Sequence, residues 1–280
     1  MTSTATQLSA RGAGGARLRA RASSGGDRAF LAVSALVFVA SAAATGVWCG
    51  SMAGGMPMPG GWTMSMAWMR MPGQGLPGAT AVFLGMWALM MTAMMMPSLV
   101  PMLRSYRRTL RGRGEMRLGT LTVLVGAGYF LVWAAVGTAV YPVGVALASV
   151  EMRLAGLARL VPLATGVALV LAGVVQLTAW KACRLDGCRN SPACCGPLSP
   201  HPLGAVRAGL RAGAQCAVCC AAPMAALVVA GVMDLAVMAG VTAAITLERT
   251  APRALLAARA CGVAIVAAGA AVVVRALFPF

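Results

Sequence analysis

Met86–Met102 reads MWALMMTAMMMPSLVPM, seventeen residues that are apolar from end to end, seven of them methionine, with six arginines between 104 and 117 just beyond. The two prolines, Pro97 and Pro101, are expected to close the run before those arginines. Outward from it the whole chain has the same character: 280 residues, 60% hydrophobic and only 10% charged. That is far from the balance of a soluble domain that must solvate its exterior. The expected fold class is all-α, a polytopic helical membrane protein with one transmembrane domain.

In chain order, residues 1–28 carry Arg11, Arg17, Arg19, Arg21 and Arg28 among Ala, Gly and Ser. Such a composition buries no core and reads as a disordered basic cytoplasmic tail. The transmembrane domain is expected over 29–280. Its spans fall at about 29–48, 79–103, 118–141 and 160–180, then a pair within 212–247 turning near Asp234, and finally about 255–277. About seven transmembrane helices result, or six if the Asp234 pair is re-entrant. Between the first two spans, 49–78 is a Gly- and Pro-punctuated loop with seven further methionines; between the fourth and fifth, 181–211 is a polar, cysteine-rich loop.

Seven spans with the N-terminus inside put 19 of the 23 Lys and Arg residues on the cytoplasmic side. With a re-entrant pair the division becomes 16 to 7. Either count is a strong positive-inside bias, and either keeps the methionine loop outside and the main cysteine loop inside. The expected location is the bacterial inner membrane, multi-pass, with a cytoplasmic N-terminus. The net charge of +17 lies in short blocks between apolar runs, which suits helix ends and anionic headgroups and excludes nucleic acid as a partner.

Sulfur is the chemistry this chain concentrates. On a helix Met90 and Met94 lie in one row with Met86, and Met95 in the next row with Met91, so thioethers cover a broad face. Cys216, Cys219 and Cys220 are spaced i, i+3, i+4, within a sector of about 100°, and Met224 lies one turn beyond Cys220. The loop before them holds Cys183, Cys188, Cys194, Cys195 and His201. Thiolate and thioether are soft ligands that favour Cu(I), with zinc the second candidate for the cysteines. The competing reading is that methionine is an adaptable filler and free cysteine a small packing residue. Asp234, behind Met233, is an acid in apolar sequence and so a functional candidate or a helix cap. Gln176 and Lys181 flank the end of the fourth span, where lysine reaches the interface.

No Ser/His/Asp set, P-loop or dinucleotide fingerprint appears, and one histidine with six acids leaves little for acid–base catalysis, so no enzyme is expected. The motifs do form a pattern. Trp87, Ala93-Met94-Met95-Met96-Pro97-Ser98, Pro101-Met102, Gly128-Tyr129 and Trp133 come first. Gln176, Lys181, Cys183, Cys188-Arg189 and Pro192 follow, then Gly213, Cys216, Cys219-Cys220, Gly231-Val232-Met233-Asp234 and Glu248. In that order, from about Met86 to Glu248, the chain resembles the bacterial family of predicted metal-binding integral membrane proteins catalogued as domain of unknown function 2182. It departs from that pattern in a wider first cysteine pair, in Ala221 where the family has Trp, and in Asp234 where the family has Asn. The resemblance implies metal binding through these Cys and Met motifs.

The expected function is a soft-metal protein, with Cu(I) as the metal, that transports or delivers it through Met and Cys ligands. Its partners would be the lipid bilayer, the metal ion, and a metallochaperone or a second copy of the chain. The alternatives are a membrane thiol-disulfide redox protein and a metal-linked assembly factor.

Overall fold

The structure is a computed structural model that describes residues 3–52, 55–59, 61–69, 73–112, 116–190 and 201–278, without the side chains of 3–24, 112, 155, 189 and 190. Most of the tail 1–28, and with it the expectation of disorder there, lies outside the described side chains. The fold is all-α: α1 (Ser3–Ser51), α2 (Leu76–Gly112), α3 (Leu118–Arg153), α4 (Ala155–Leu177), α5 (Ala179–Asn190), α6 (Pro202–Cys219), α7 (Ala221–Gly231), α8 (Leu235–Thr250) and α9 (Ala254–Leu277). Among the described residues, five segments are long and apolar enough to cross a membrane, namely 25–51 of α1, 76–111 of α2, and α3, α4 and α9. A sixth arises if α6 and α7, bent by 64° at their junction, count as one span.

The expectation of about seven, or six with a re-entrant pair, thus meets five or six such segments among the described residues. The expected turn at Asp234 is present, since α7 ends at Gly231 and Asp234 caps α8. However, the first arm of the expected pair is broken at Cys220, and the second, α8, has only 16 residues. At 1.5 Å per residue α8 covers about 24 Å, short of a hydrocarbon core of about 30 Å.

Three other boundaries differ from expectation. Pro97 and Pro101 lie inside α2, which runs on to Gly112. Each proline removes one helical hydrogen bond without ending the helix, a tolerance typical of helices flanked by neighbours. Residues 181–190 are helical, and 202–211 already belong to α6, so these parts of the expected loop are helix, while 191–200 lie outside the described residues. The methionine loop contains a two-stranded hairpin, β1 (Met56–Met58) with β2 (Trp62–Met64), turned by Gly61 at φ +76°. Trp62 ties it down by donating Nε1–H to the Ala158 carbonyl at 2.9 Å.

α2 packs against α1, α3 and α8, while α6 packs on α3 and α4 packs on α9. α1 turns small residues inward at Ser34, Ser41, Thr45 and Cys49 and large ones outward at Leu36, Val39 and Val47. Its buried hydroxyls satisfy themselves on carbonyls one turn back, Ser34 on Phe30 at 2.8 Å and Thr45 on Ser41 at 2.8 Å. The same inside-out polarity holds in α4 and α9, where Leu171 and Val263 are exposed. The N-terminal part of α1 is fastened to the end of α2: Arg111 forms a fork on Asp27, both N···O distances 3.0 Å. Arg107 adds bonds to Gly26 and Thr122 and lies over the Phe30 ring at 4.8 Å. Two of the arginines that set the charge bias thus also hold helices together.

Close helix approach depends on glycine, as expected where lipid removes the hydrophobic drive between helices. At Gly128 of α3 a Cβ would stand 2.5 Å from the Val206 carbonyl oxygen of α6, and at Gly209 of α6 it would stand 3.0 Å from the Tyr129 nitrogen of α3. Gly240 of α8, by contrast, has open space around it. Gly128→Ala and Gly209→Ala are each expected to cost about 1–3 kcal/mol by overpacking. Gly240→Ala is expected to gain about 0.5–1 kcal/mol from backbone entropy. Thermal unfolding in detergent reads the difference, and equal effects at the three positions would refute this account of the α3–α6 contact.

Candidate functional site

The break between α6 and α7 positions the site, and its cause is local. Pro223 has no N–H to give to the carbonyl four residues back, which is that of Cys219. That carbonyl is taken instead by Lys181 from α5, whose Nζ donates to it at 2.7 Å. Lys181 also pairs with Glu248 Oε2 at 2.7 Å, and both side chains are only 1% exposed. Gln176, near the end of α4, donates Nε2–H to the other Glu248 oxygen. One buried lysine thereby ties the broken helix to α5 and α8.

At the break Cys220 caps α6 with φ −95° and ψ 8°. Its turn brings Cys220 Sγ to 3.8 Å from Cys216 Sγ, while Met95 Sδ of α2 lies 3.9 Å from Cys216 Sγ on the other side. Tyr129 of α3 donates its hydroxyl to Cys216 Sγ at 2.9 Å. Met95, Cys216, Cys220 and Tyr129 are all 0–1% exposed. Three sulfurs each about 2.3 Å from a common centre would be about 4.0 Å apart. The two separations seen are close to that edge.

The expected trio of cysteines on one face separates. Cys216 and Cys220 belong to the main core with α2 and α3, whereas Cys219 packs with Leu185 of α5 and Ala258 of α9. Cys219 is hydrogen-bonded both to Cys220 and to Cys188. Cys188 in turn receives Arg249 Nη2 at 3.6 Å and donates to the Gln215 carbonyl at 3.5 Å. A string of sulfur therefore runs Met95, Cys216, Cys220, Cys219, Cys188, from the centre of the bundle to a half-buried position on α5. At Cys188, outside the spans, the hydrogen bond with Cys219 and burial both raise the thiol above its usual range.

The other candidates lie elsewhere. Met90 and Met94 line an apolar cavity of about 590 Å³ between α1, α2 and α8. Met224 is buried in the core of α7. Met233 receives Cys49 Sγ at 3.7 Å, a second sulfur contact at the end of α1. Asp234 is exposed and caps α8, accepting from the Ala236 and Val237 N–H groups at 2.8 and 3.0 Å. His201 is exposed and caps α6 through Nδ1, which accepts from Leu203 N–H at 3.3 Å. Cys183 is exposed. Cys194 and Cys195 lie outside the described residues.

Among the described residues no three of His, Cys, Asp and Glu converge as a metal site, so two thiols with a thioether are the set that does converge. Tyr129, Glu248 and Arg249 were not singled out as site residues from composition or spacing. For Glu248 the signal was available: it is one of only six acids in the chain and follows a long apolar run.

Residues 84–272 match a family model described as PpoB2, copper chaperone. Its name differs from that of the family the motifs resemble, and the two agree on metal binding. No curated protein and no solved structure matches the chain.

Breaking a buried pair strands a charge at a cost of about 3–5 kcal/mol, whereas replacing both partners by apolar residues is often neutral. Lys181→Met is therefore expected to destabilise by that amount and Lys181→Met with Glu248→Met by clearly less. Thermal unfolding in detergent decides. A double variant no more stable than the single would show that the pair does not hold the break.

Proposed function

The chain belongs to the copper chaperone family, and on that footing we propose that it carries Cu(I) as cargo on Cys216, Cys220 and Met95. The observation that carries this reading is the pair of sulfur contacts at 3.8 and 3.9 Å around Cys216, in a setting closed to water. The donor set fits the metal: two thiolates and a thioether suit a soft monovalent ion, and no carboxylate among the described residues joins them to favour a hard one. Tyr129 holds the Cys216 sulfur by its hydroxyl, and Lys181 with Glu248 holds the turn that brings Cys220 beside it.

In this reading the protein is a carrier and not an enzyme. Cu(I) passes from the thioethers of α2 to the cysteine pair and then along Cys219 and Cys188 toward α5, because anionic thiolate binds it more strongly than neutral thioether. With the arginine-rich ends in the cytoplasm of a bacterial inner membrane, passage is inward. The exposed Cys183 and half-buried Cys188 are then positioned to meet a metallochaperone.

Removing a group that only supports a ligand costs about 10–100-fold in metal affinity, so Cys216→Ser and Cys220→Ser are each expected to weaken Cu(I) binding at this site at least about 100-fold. Competition with a chromophoric Cu(I) chelator measures it in the purified, reduced protein. Met95→Leu should weaken binding less and reduce the sulfur count seen by X-ray absorption. Undiminished copper binding in Cys216→Ser with Cys220→Ser would exclude the assignment.

A further inference from the structure

A second pocket lies where α1 ends, away from the Arg111–Asp27 fork that fastens the other end of that helix's apolar segment. Its volume is about 170 Å³, against the roughly 10–15 Å³ that admits one water. Four separate pieces of the chain contribute to it. Met52 follows α1, Met66 and Met69 belong to the 3-10 turn Met66–Trp68 and its cap, Met86 comes from α2, and Tyr141 comes from α3. Ser51, Gln74, Trp48 and Tyr141 are the lining residues that carry polar side-chain groups.

Methionine is the most frequent residue of this wall. Among the described residues, four of its side chains are methionine, no leucine or isoleucine lines it, and no lining residue is charged. A wall built only to pack would use Leu or Ile, whose rotamers are better defined. The same loop shows the contrast: Met58 and Met64 are buried against Ala148 and Ala158 and fill space under the hairpin. Among the described methionines of 49–78, Met58 and Met64 thus pack and Met56 is exposed, while Met52, Met66 and Met69 line a cavity.

We infer that Met52, Met66, Met69 and Met86 form a second, thioether-only binding site for Cu(I), which receives the ion before it reaches Cys216 and Cys220. This rests on the copper-carrying role proposed above. A hard dication would require carboxylate or carbonyl oxygen and compensating negative charge, and the pocket has no carboxylate. A soft monovalent ion needs neither. Met86 stands one helical turn before Met90 on α2, and Met90 one turn before Met94, so Met86 begins a row of thioethers along α2 that leads to Met94, next to Met95 beside Cys216. Because its ligands are neutral, the site is weaker than the cysteine site, which gives the ion a reason to move on.

The test uses the full-length protein in lipid nanodiscs, titrated anaerobically with Cu(I) against a chromophoric chelator. The wild type is expected to take up two equivalents, one at least tenfold weaker than the other. Replacing Met52, Met66, Met69 and Met86 by Leu should remove the weaker equivalent alone, since Met to Leu nearly conserves volume. Replacing Cys216 and Cys220 by Ser should remove the tighter one alone. Retention of two equivalents by the four-leucine variant would overturn the second site and leave the cysteine site standing. Retention of both by the cysteine variant would overturn the copper-carrying role itself. A measurement on the unmodified chain guards against misfolding: with methyl-13C methionine, the second equivalent should shift the methyl signals of these four residues, and unshifted signals would count against the site.

Discussion

The buried contact between Lys181 and Glu248 is the constraint on which the rest of this structure depends. An ion pair at 1% exposure on both sides survives only if its remaining hydrogen-bonding capacity is met. Here the lysine spends that capacity on the Cys219 carbonyl, which Pro223 has left without a helical donor, and the glutamate spends its own on Gln176. Three otherwise costly features, a proline near the middle of an apolar segment, an orphan carbonyl and a buried charge, thereby satisfy one another. The result is a 64° bend beside the three cysteines, two of which lie in the core with α2 and α3 and one against α5 and α9.

The bend also separates two environments for sulfur. Cys216 and Cys220 face Met95 and Tyr129 in the closed core, while Cys219 faces Cys188, with Arg249 close by. A thiolate pair in an apolar interior needs a positive neighbour to be tolerated. Arg249 and Lys181 both lie on the Cys219 side. A carrier has to bind its ion firmly without trapping it, and a string of sulfurs that changes from neutral thioether to thiolate along its length meets both demands.

Methionine plays different parts in this chain that its sequence does not distinguish. Met58 and Met64 fill the base of a hairpin; Met52, Met66, Met69 and Met86 line a cavity; Met90 and Met94 face the space between α1 and α8; Met95 touches a thiol. A flexible, polarizable side chain suits each of these tasks. What separates them is the neighbour, which is contributed from another part of the chain.

The sequence by itself determined the all-α class, the apolar segments and their approximate limits, and the concentration of soft donors, because hydropathy and composition are local properties. It also pointed to Gln176 and Lys181, though only as residues near an interface. The number of long spans, the passage of α2 through Pro97 and Pro101, and the helix over 179–190 depended on tertiary neighbours that support backbone a local rule would break. The division of Cys216, Cys219 and Cys220 was decided by the neighbours of α6, since Cys216 and Cys220 meet the core built on α2 and α3 while Cys219 meets α5 and α9. The pairing of Met95 with Cys216 joins residues 121 positions apart. No periodicity encodes such a contact, and only the packing of α2 against α3 and the close approach of α3 to α6 bring it about.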